Sequence, residues 1–323
     1  MRDGLSDAPP DAARVSIVVL NYNTRALLLA CLASIEQFAP EGEVVVVDNN
    51  STDDSAAVVR QQFPRVRLLA LSENGGFARG MNAGLRLAGG GVVLMLNADT
   101  VLRADTLPAL RGALVNHPRA GIVGPVQLFP ASAGTDGTQI ASAFRDPTLT
   151  RELARLVMFT DSVSSRLSLG AWRAVASGSP RAVDWLMGAA LLVRRECLEM
   201  LGGFSESQFM YGEDWDLCYR ARQAGWQVLL VPASRIVHHE NASGRSFFGS
   251  ARGARVLAAT LYYHEKFFGR ASRRALAAAN VVGAGLRLMA ATPRALLGPR
   301  RDEWRATWSA HALMLRTAFR ALR

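Results

Sequence analysis

Three carboxylates, Glu213, Asp214 and Asp216, fall within four positions of the stretch FMYGEDWDLCYRARQAGW (209–226). Gly212 breaks the chain just before them, and EDWDLCYRARQAG reads as a helix ending at Gly225. Acidic side chains in a first helical turn are favoured by the exposed backbone N–H groups, which accounts for one or two of the three. The aromatic approach FSESQFMYGEDW sets the same carboxylates against apolar walls. Partial burial raises a carboxylate's pKa and makes it a better general base. A second candidate is LMLNADT, a strand ending in Asn97-Ala98-Asp99 that aims an oxygen ligand at the mouth of a sheet. Hard cations take one or two such carboxylates and complete their shell with water and phosphate oxygens. Standing alone, Asp99 would serve equally well as a helix cap. A third is RIVHHE, in which His238 and His239 follow an apolar strand. Neighbours on a strand point to opposite sides, so at most one of the two faces a shared site. A buried, hydrogen-bonded histidine is the commoner fate, and HHE does not make the H-E-x-x-H pattern of a zinc protease.

The elements that would position these residues alternate. VSIVVL (15–20) is a continuous β-branched run, as expected of a strand buried on both faces. A polar turn and the helix ALLLACLASIEQF (26–38) follow. EVVVVDNNSTDDSAAVVRQQF repeats the theme, with Ser51 or Thr52 as N-cap and Asp53 and Asp54 in the first helical turn. VRLLAL (66–71) is a third strand, FARGMNAGLRLA a helix stopped by GGG, and VVLMLNADT (92–100) a fourth strand. This alternation predicts an α/β domain with a mostly parallel sheet flanked by helices. Ligands bind beyond the C-terminal strand ends of such sheets. Here those ends carry NYNT, DNNSTDD, ENGG and NADT. One polar loop means nothing, but four on the same sheet edge favour a binding site. Residues 127–180 are less regular, with a loop at PASAGTDGTQ and a short helix at TRELARLVMF. VDWLMGAALLVRRE (183–196) returns to strand character and runs into a helix, and QVLLVP is a further strand.

Composition narrows the options. The chain has 323 residues, half of them apolar, which suits a large domain or two modest ones. Three scattered cysteines, Cys31, Cys197 and Cys218, argue against a disulfide scaffold and fit a reducing compartment. The segment MRDGLSDAPPDAA has no apolar run of the kind a secretory leader carries. Lys266 is the only lysine, which excludes a Walker A loop. The net charge of +10 is concentrated at one end. From Arg245 on, fourteen Arg and one Lys stand against Glu265, Asp302 and Glu303, a net +12, which leaves about −2 for the rest. Such a segment suits an acidic surface, a membrane or a nucleic acid. Its most apolar piece, ALAAANVVGAGL (275–286), spans twelve residues, short of the roughly 20 needed to cross a bilayer. Trp304, Trp308, Leu315 and Phe319 recur near helical spacing with Arg between them, as in helices that lie on a membrane surface or pack on their own domain.

Taken in order, VSIVVLNYNT, VVVVDNNSTDDS, ENGGFARGMNAGL, LMLNADT, VDWLMGAALLVRRE, GGFSESQFMYGEDWDLCYRARQAGW and IVHH resemble the inverting family 2 glycosyltransferases of the GT-A fold. The likeness is greatest to bacterial rhamnosyltransferase-type enzymes and covers about residues 14–243. It implies a Rossmann-like GT-A domain over 14–243, preceded by a disordered 1–13 and followed by a basic, amphipathic helical region, 244–323. It implies that Asp48 and Asn49 contact the nucleotide base, that Leu20, Asn21 and Tyr22 line the same pocket, and that Gly75, Gly76 and Asn82 border it. Asn97, Ala98 and Asp99 match the D-x-D element, with Asn in the first position and hence one carboxylate fewer on a Mg²⁺ or Mn²⁺ ion. His238 matches the late metal ligand better than His239, and Trp185 and Gly188 border donor sugar and acceptor. Asp214 matches the catalytic base, Glu213 positions the acceptor or its loop, and Asp216 is structural. The implied reaction moves a sugar, with dTDP-L-rhamnose as a candidate donor, onto a hydroxyl of a surface polysaccharide or lipid-linked glycan. The implied location is the inner face of the cell membrane, held by the basic segment 250–323.

Rival readings leave other marks. A nucleotidyltransferase wants a basic residue for a triphosphate, and the strand-end loops offer only Arg25 and Arg79. A catalytically degenerate scaffold need not keep Asp99, Asp214 and His238 together, although Asn97 gives it standing. Nucleic-acid binding lacks an aromatic-interleaved strand platform or a helix-turn-helix.

Overall fold

The computed structural model describes residues 11–131, 137–157, 178–239, 251–297 and 301–323. They fall into two compact units. The first holds the described residues up to Arg145 together with 178–209 and 213–239; the second holds 146–157, 210–212 and the described residues from 251 on.

The first unit is built on a mixed sheet. Its leading half is parallel: β3 (Arg67–Ala70), β2 (Glu43–Asp48), β1 (Asp11–Asn21) and β4 (Gly90–Asn97) lie side by side in that order. β11 (Ala190–Arg194) runs against both β4 and β6 (Ala120–Leu128), and β12 (Gln227–His238) is parallel to β6. The short β5 (Thr100–Leu102) closes the order, antiparallel to the end of β12. Two-residue strands complete the set: β7 (Gln139–Ile140) pairs with β6, β9 (Arg181–Ala182) with β12, and β8 (Ala143–Phe144) with β10 (Trp185–Leu186). The expected parallel sheet thus accounts for the first four strands. The second half is mixed, because β11 returns against β4 and only then enters α6 (Arg195–Leu201).

The continuous apolar runs have a direct cause. Alternate residues of β1 feed two cores, one on each face of the sheet. Ile17 and Val19 pack with Leu28, Leu32 and Ile35 of α1 (Arg25–Phe38) and with Leu110 of α4 (Thr106–Asn116). Val18 packs on the other side with Met81 and Leu85 of α3 (Phe77–Leu85) and Leu217 of α7 (Glu213–Gln223). All three cysteines are buried and free, and burial pushes each thiol up to about 12. They serve as small core residues, not nucleophiles.

Three expectations need correction. The first strand starts at Asp11 and not at Val15, with Asp11 paired to Gly90 ahead of a bulge; residues 1–10 lie outside the described residues. The helix after β2, α2 (Ser55–Gln62), begins three residues later than Thr52. Asp54 holds the cap position, left-handed at φ 61° and with no side-chain cap bond, while Asp53 Oδ1 accepts from Ser55 N (3.2 Å) and Oγ (2.5 Å). Ser51, meanwhile, accepts from Asn21 and from the backbone of Asn23. The third correction concerns the basic end.

In the second unit the helical run α8 (Arg252–Leu297) is broken at Gly269 (φ 82°, ψ 170°) and packs with α9 (Arg301–Arg320). α5 (Leu149–Val157) joins them, through Leu149 against Leu257, Leu261, Leu276 and Ala318. α8 contains an 18-residue window of mean hydropathy 1.4, long and apolar enough by length and composition to cross a membrane. The twelve-residue piece 275–286 understates it because Arg287 does not end the helix. The expected boundary at 243/244 lies outside the described residues.

Candidate active site

The β12–β5 ladder decides what stands beside Asp99. Its register sets His238 opposite Thr100 and Val237 opposite Val101. Asp99, in the turn between β4 and β5, therefore meets the end of β12: its backbone O accepts from His239 N (2.9 Å), and His238 Nε2 lies 3.3 Å from Asp99 Oδ1. Asp99 and His238 are both buried. Of the two histidines, His238 is the one whose ring faces the carboxylate. Asn97 Oδ1 is also buried, and neither it nor His238 Nε2 has a hydrogen-bond partner among the described residues. Ala98 is pinned by its N–H to Leu20 O (3.2 Å), and Asn97 by its N–H to Ala189 O (3.0 Å).

Sequence reasoning missed the residue that orients His238. Gln127 is the lone amide side chain in the otherwise apolar, fully buried β6, AGIVGPVQL. Its Nε2 donates to Met187 O (3.3 Å), and its Oε1 lies 2.9 Å from His238 Nδ1. A carbonyl can only accept, so Met187 O fixes the amide orientation and leaves Oε1 facing the ring. His238 Nδ1 must then carry a proton, which leaves Nε2 as the ring nitrogen that faces Asp99. The signal was present in the sequence: a buried polar side chain on a core strand requires a partner.

The acidic stretch divides its three carboxylates as helix geometry dictates. Asp216 is fully buried and pairs with Arg220 one turn on (2.7 Å), whose other nitrogens donate to Leu201 O and Gly203 O. That network ties α7 to the end of α6. Asp214 is held differently: Oδ1 accepts from its own neighbour Trp215 N (2.8 Å) and Oδ2 from Gly188 N (3.0 Å). Burial raises its pKa above the ordinary carboxylate range, against those N–H groups, which pull it down. Glu213 stands partly exposed in the same first turn. Just before it Tyr211 and Gly212 take φ of 80° and 83°, both in the left-handed region.

Met187, Gly188 and Ala189 join these parts. They contact Gln127, Asp214 and Asn97 in turn, at three successive residues of the turn between Leu186 and Ala190. Gly188 permits a close approach: a Cβ there would lie 3.1 Å from Asp214 Cβ, so the Asp214 side chain would have to shift by a few tenths of an ångström. Next to this segment Trp185 stacks on Phe144 (4.3 Å between centroids, 18° between planes) and donates to Arg145 O (3.0 Å).

At the ends of β1 and β2 the remaining residues form one polar network. Asn21 donates to Asp48 Oδ2 (2.9 Å) and accepts from Thr24, and Asp48 Oδ1 accepts from Ser51 N. Asn49 holds the glycine loop: its Nδ2 donates to Asn74 Oδ1 and Gly76 O, and its Oδ1 accepts from Gly75 N. Gly76 takes φ 84°, where a side chain would run into Phe209 O. Tyr22 stands half-buried beside this network. Asn82 departs from the rest. Its amide is occupied by Phe204 N, Phe204 O and Glu206, so it secures the 204–206 loop.

A polar network at the parallel strand ends, a carboxylate–imidazole pair and a half-buried acid joined by one linking segment stand on a sheet of the GT-A transferase type. The sequence matches the model of the Glycosyltransferase like family 2 over residues 10–255, and the chain belongs to that family. It is 32% identical over 243 residues to the N-acetylglucosaminyl-diphospho-decaprenol L-rhamnosyltransferase of Mycobacterium tuberculosis, covering 71% of this chain and 77% of that one. It is 41% identical over 73 residues to the rhamnosyltransferase WbbL of Escherichia coli, covering 23% and 28%. Among solved structures, the mannosyltransferase PcManGT from Pyrobaculum calidifontis, in complex with GDP-Man and Mn²⁺, superposes with a TM-score of 0.57 at 22% identity, covering 99% of this chain and 91% of that one. The protein is a glycosyltransferase.

Proposed function

We propose that the chain transfers a sugar, with inversion, from a nucleoside-diphosphate donor to a hydroxyl of a lipid-linked glycan, and that Asp214 is its general base. L-Rhamnose from dTDP-L-rhamnose is the first donor to test, because the mycobacterial relative carries that sugar in its name. The observation that carries the reading is the Met187–Ala189 segment, which touches the support of His238, the base and Asn97 at successive residues.

Inversion at an anomeric carbon is a single displacement, so it needs one base on the acceptor side and charge stabilisation on the leaving side. Asp214 suits the first role. Gly188 N and Trp215 N fix both its oxygens, and their free lone pairs can take the proton from the attacking hydroxyl. Asp99 and His238 suit the second role and would hold a divalent cation, with Asn97 Oδ1 as a third, neutral donor. No group of three or more His, Cys, Asp or Glu side chains gathers among the described residues, so a cation there would complete its shell with phosphate oxygens and water. Such a cation, when bound, neutralises the charge that develops on the departing diphosphate. Mn²⁺ in the mannosyltransferase relative supports that assignment. Asp48, Asn49 and the Gly75–Gly76 loop would take the base and ribose, and Trp185 with Phe144 the acceptor side. The net +12 of the basic segment supports a location at the inner membrane surface, where anionic lipids attract arginine.

The test is thermal: melting of the protein against a panel of nucleoside diphosphates and their sugars, with and without Mn²⁺. Ligands that bind the folded state raise the Tm. A metal-dependent rise with one nucleotide is expected. A well-folded protein that responds to none of them contradicts the reading.

A further inference from the structure

The second unit carries a surface that sugar transfer does not use. Beyond Gly269, α8 buries Leu276, Ala277, Asn280, Ala284 and Ala291 within its own unit. On another face Ala278, Val282, Leu286, Met289, Pro293 and Leu296 are all exposed, in steps of four, four, three, four and three residues. That spacing makes one straight stripe about 28 Å long, without a charge on it. Val282, Met289 and Leu296 are exposed by 62, 66 and 61%. Trp308 of α9, 41% exposed, donates through Nε1 to Thr292 Oγ1 (3.2 Å), one turn from both Met289 and Leu296. Leu286 also enters a cavity of about 420 Å³ lined by Arg287, Ala290, Ala291, Trp304 and His311.

A continuous apolar stripe of this length on a soluble surface marks an interaction site. Charge selects the occupant. The segment from Arg245 on has a net +12, and exposed Arg270 and Arg274 stand at the start of the stripe. A second copy of the chain would bring a second +12 against the first, whereas an anionic lipid surface neutralises it. Crossing the bilayer is ruled out by the partner helix. α9 packs on α8 and exposes Arg301, Asp302, Glu303, Arg305, Arg316 and Arg320, which would have to enter hydrocarbon with it.

We propose that the stripe from Ala278 to Leu296 is a membrane-insertion surface, lying flat in the headgroup boundary of an anionic bilayer with the arginines around it on lipid phosphates. This rests on, and sharpens, the membrane location proposed above: apolar insertion, and not charge attraction alone, holds the protein.

The experiment is co-sedimentation of the full chain with phosphatidylcholine vesicles, with and without phosphatidylglycerol. It compares wild type with the charge-neutral triple variant Val282→Ser, Met289→Ser, Leu296→Ser. All three positions are exposed, so the Tm stays at the wild-type value, and melting checks it. Wild type is expected to bind the anionic vesicles, and the variant to lose at least about tenfold in affinity from the apolar area removed. Equal binding by both would overturn the insertion surface while leaving a purely electrostatic attachment standing. Absence of wild-type binding would instead defeat the membrane location itself. A wild-type dimer that the variant dissociates, with vesicle binding unchanged, would assign the stripe to a second copy and overturn the proposal.

Discussion

Replacing Gln127 by leucine removes the acceptor for His238 Nδ1 while keeping the volume of a fully buried side chain. The ring can then answer in two ways. With its proton left on Nδ1, a buried donor goes unpaired, at a cost of about 1–3 kcal/mol in stability. With the proton moved to Nε2, the ring turns an N–H toward Asp99 Oδ1 at 3.3 Å and has no lone pair there for a cation. Either outcome should weaken a cation at the proposed site, the first by loss of the ring's orientation and the second by loss of the lone pair. Partners of this kind are worth roughly 10–100-fold in metal affinity. Gln127→Glu separates that role from packing. It keeps an acceptor against Nδ1 but sets an oxygen against Met187 O, so it should lose stability and retain the metal. The assay is Mn²⁺ titration by electron paramagnetic resonance in the presence of the nucleoside diphosphate that raises the Tm, with melting curves for both variants. If Gln127→Leu binds Mn²⁺ as tightly as wild type, the imidazole is not oriented by this amide and the reasoning fails. If both variants lose metal in proportion to stability, Gln127 is only a packing residue.

Three further outcomes follow from the same contacts. Gly188→Ala puts a methyl 3.1 Å from Asp214 Cβ, so kcat should fall roughly 10- to 100-fold from displacement of the base, with donor-induced Tm shifts retained. Asp216→Ala strands Arg220 at the α6–α7 junction; breaking a buried pair of this kind costs about 3 kcal/mol, measured by urea unfolding, and activity should fall only through stability. Because burial raises the pKa of Asp214, the acid limb of kcat/KM should sit above the ordinary Asp value of about 3.9. The sign for stability is the reverse. The ionised form is disfavoured in the fold, so the Tm advantage of Asp214→Asn over wild type should narrow as pH falls through the raised pKa.

The parallel half of the fold was legible because each buried strand is a continuous apolar run and each strand end is polar. The sheet's second half was not. The antiparallel return of β11 depends on pairing between segments nearly a hundred residues apart, Ala190 with Leu96, which no local pattern encodes. Helix α2 was placed too early because Ser51 and Thr52 have the right chemistry for a cap but bond across to Asn21 and Asn23. Asp214 stood out by its neighbours and His238 by its strand, yet the choice between His238 and His239 needed the β12–β5 register. Gln127 escaped notice because an amide has no motif; only its burial gives it meaning.

The central claim is that Asp214 acts on the acceptor, and Asp214→Asn tests it most directly. Transfer by wild type and variant is measured with the donor identified by thermal shift, alongside donor affinity. A positioned base contributes about 10²–10⁴-fold, so kcat should drop by that factor while the donor Kd stays within about twofold. A variant that transfers sugar at the wild-type rate, or one that fails only because it no longer binds donor, would contradict the assignment.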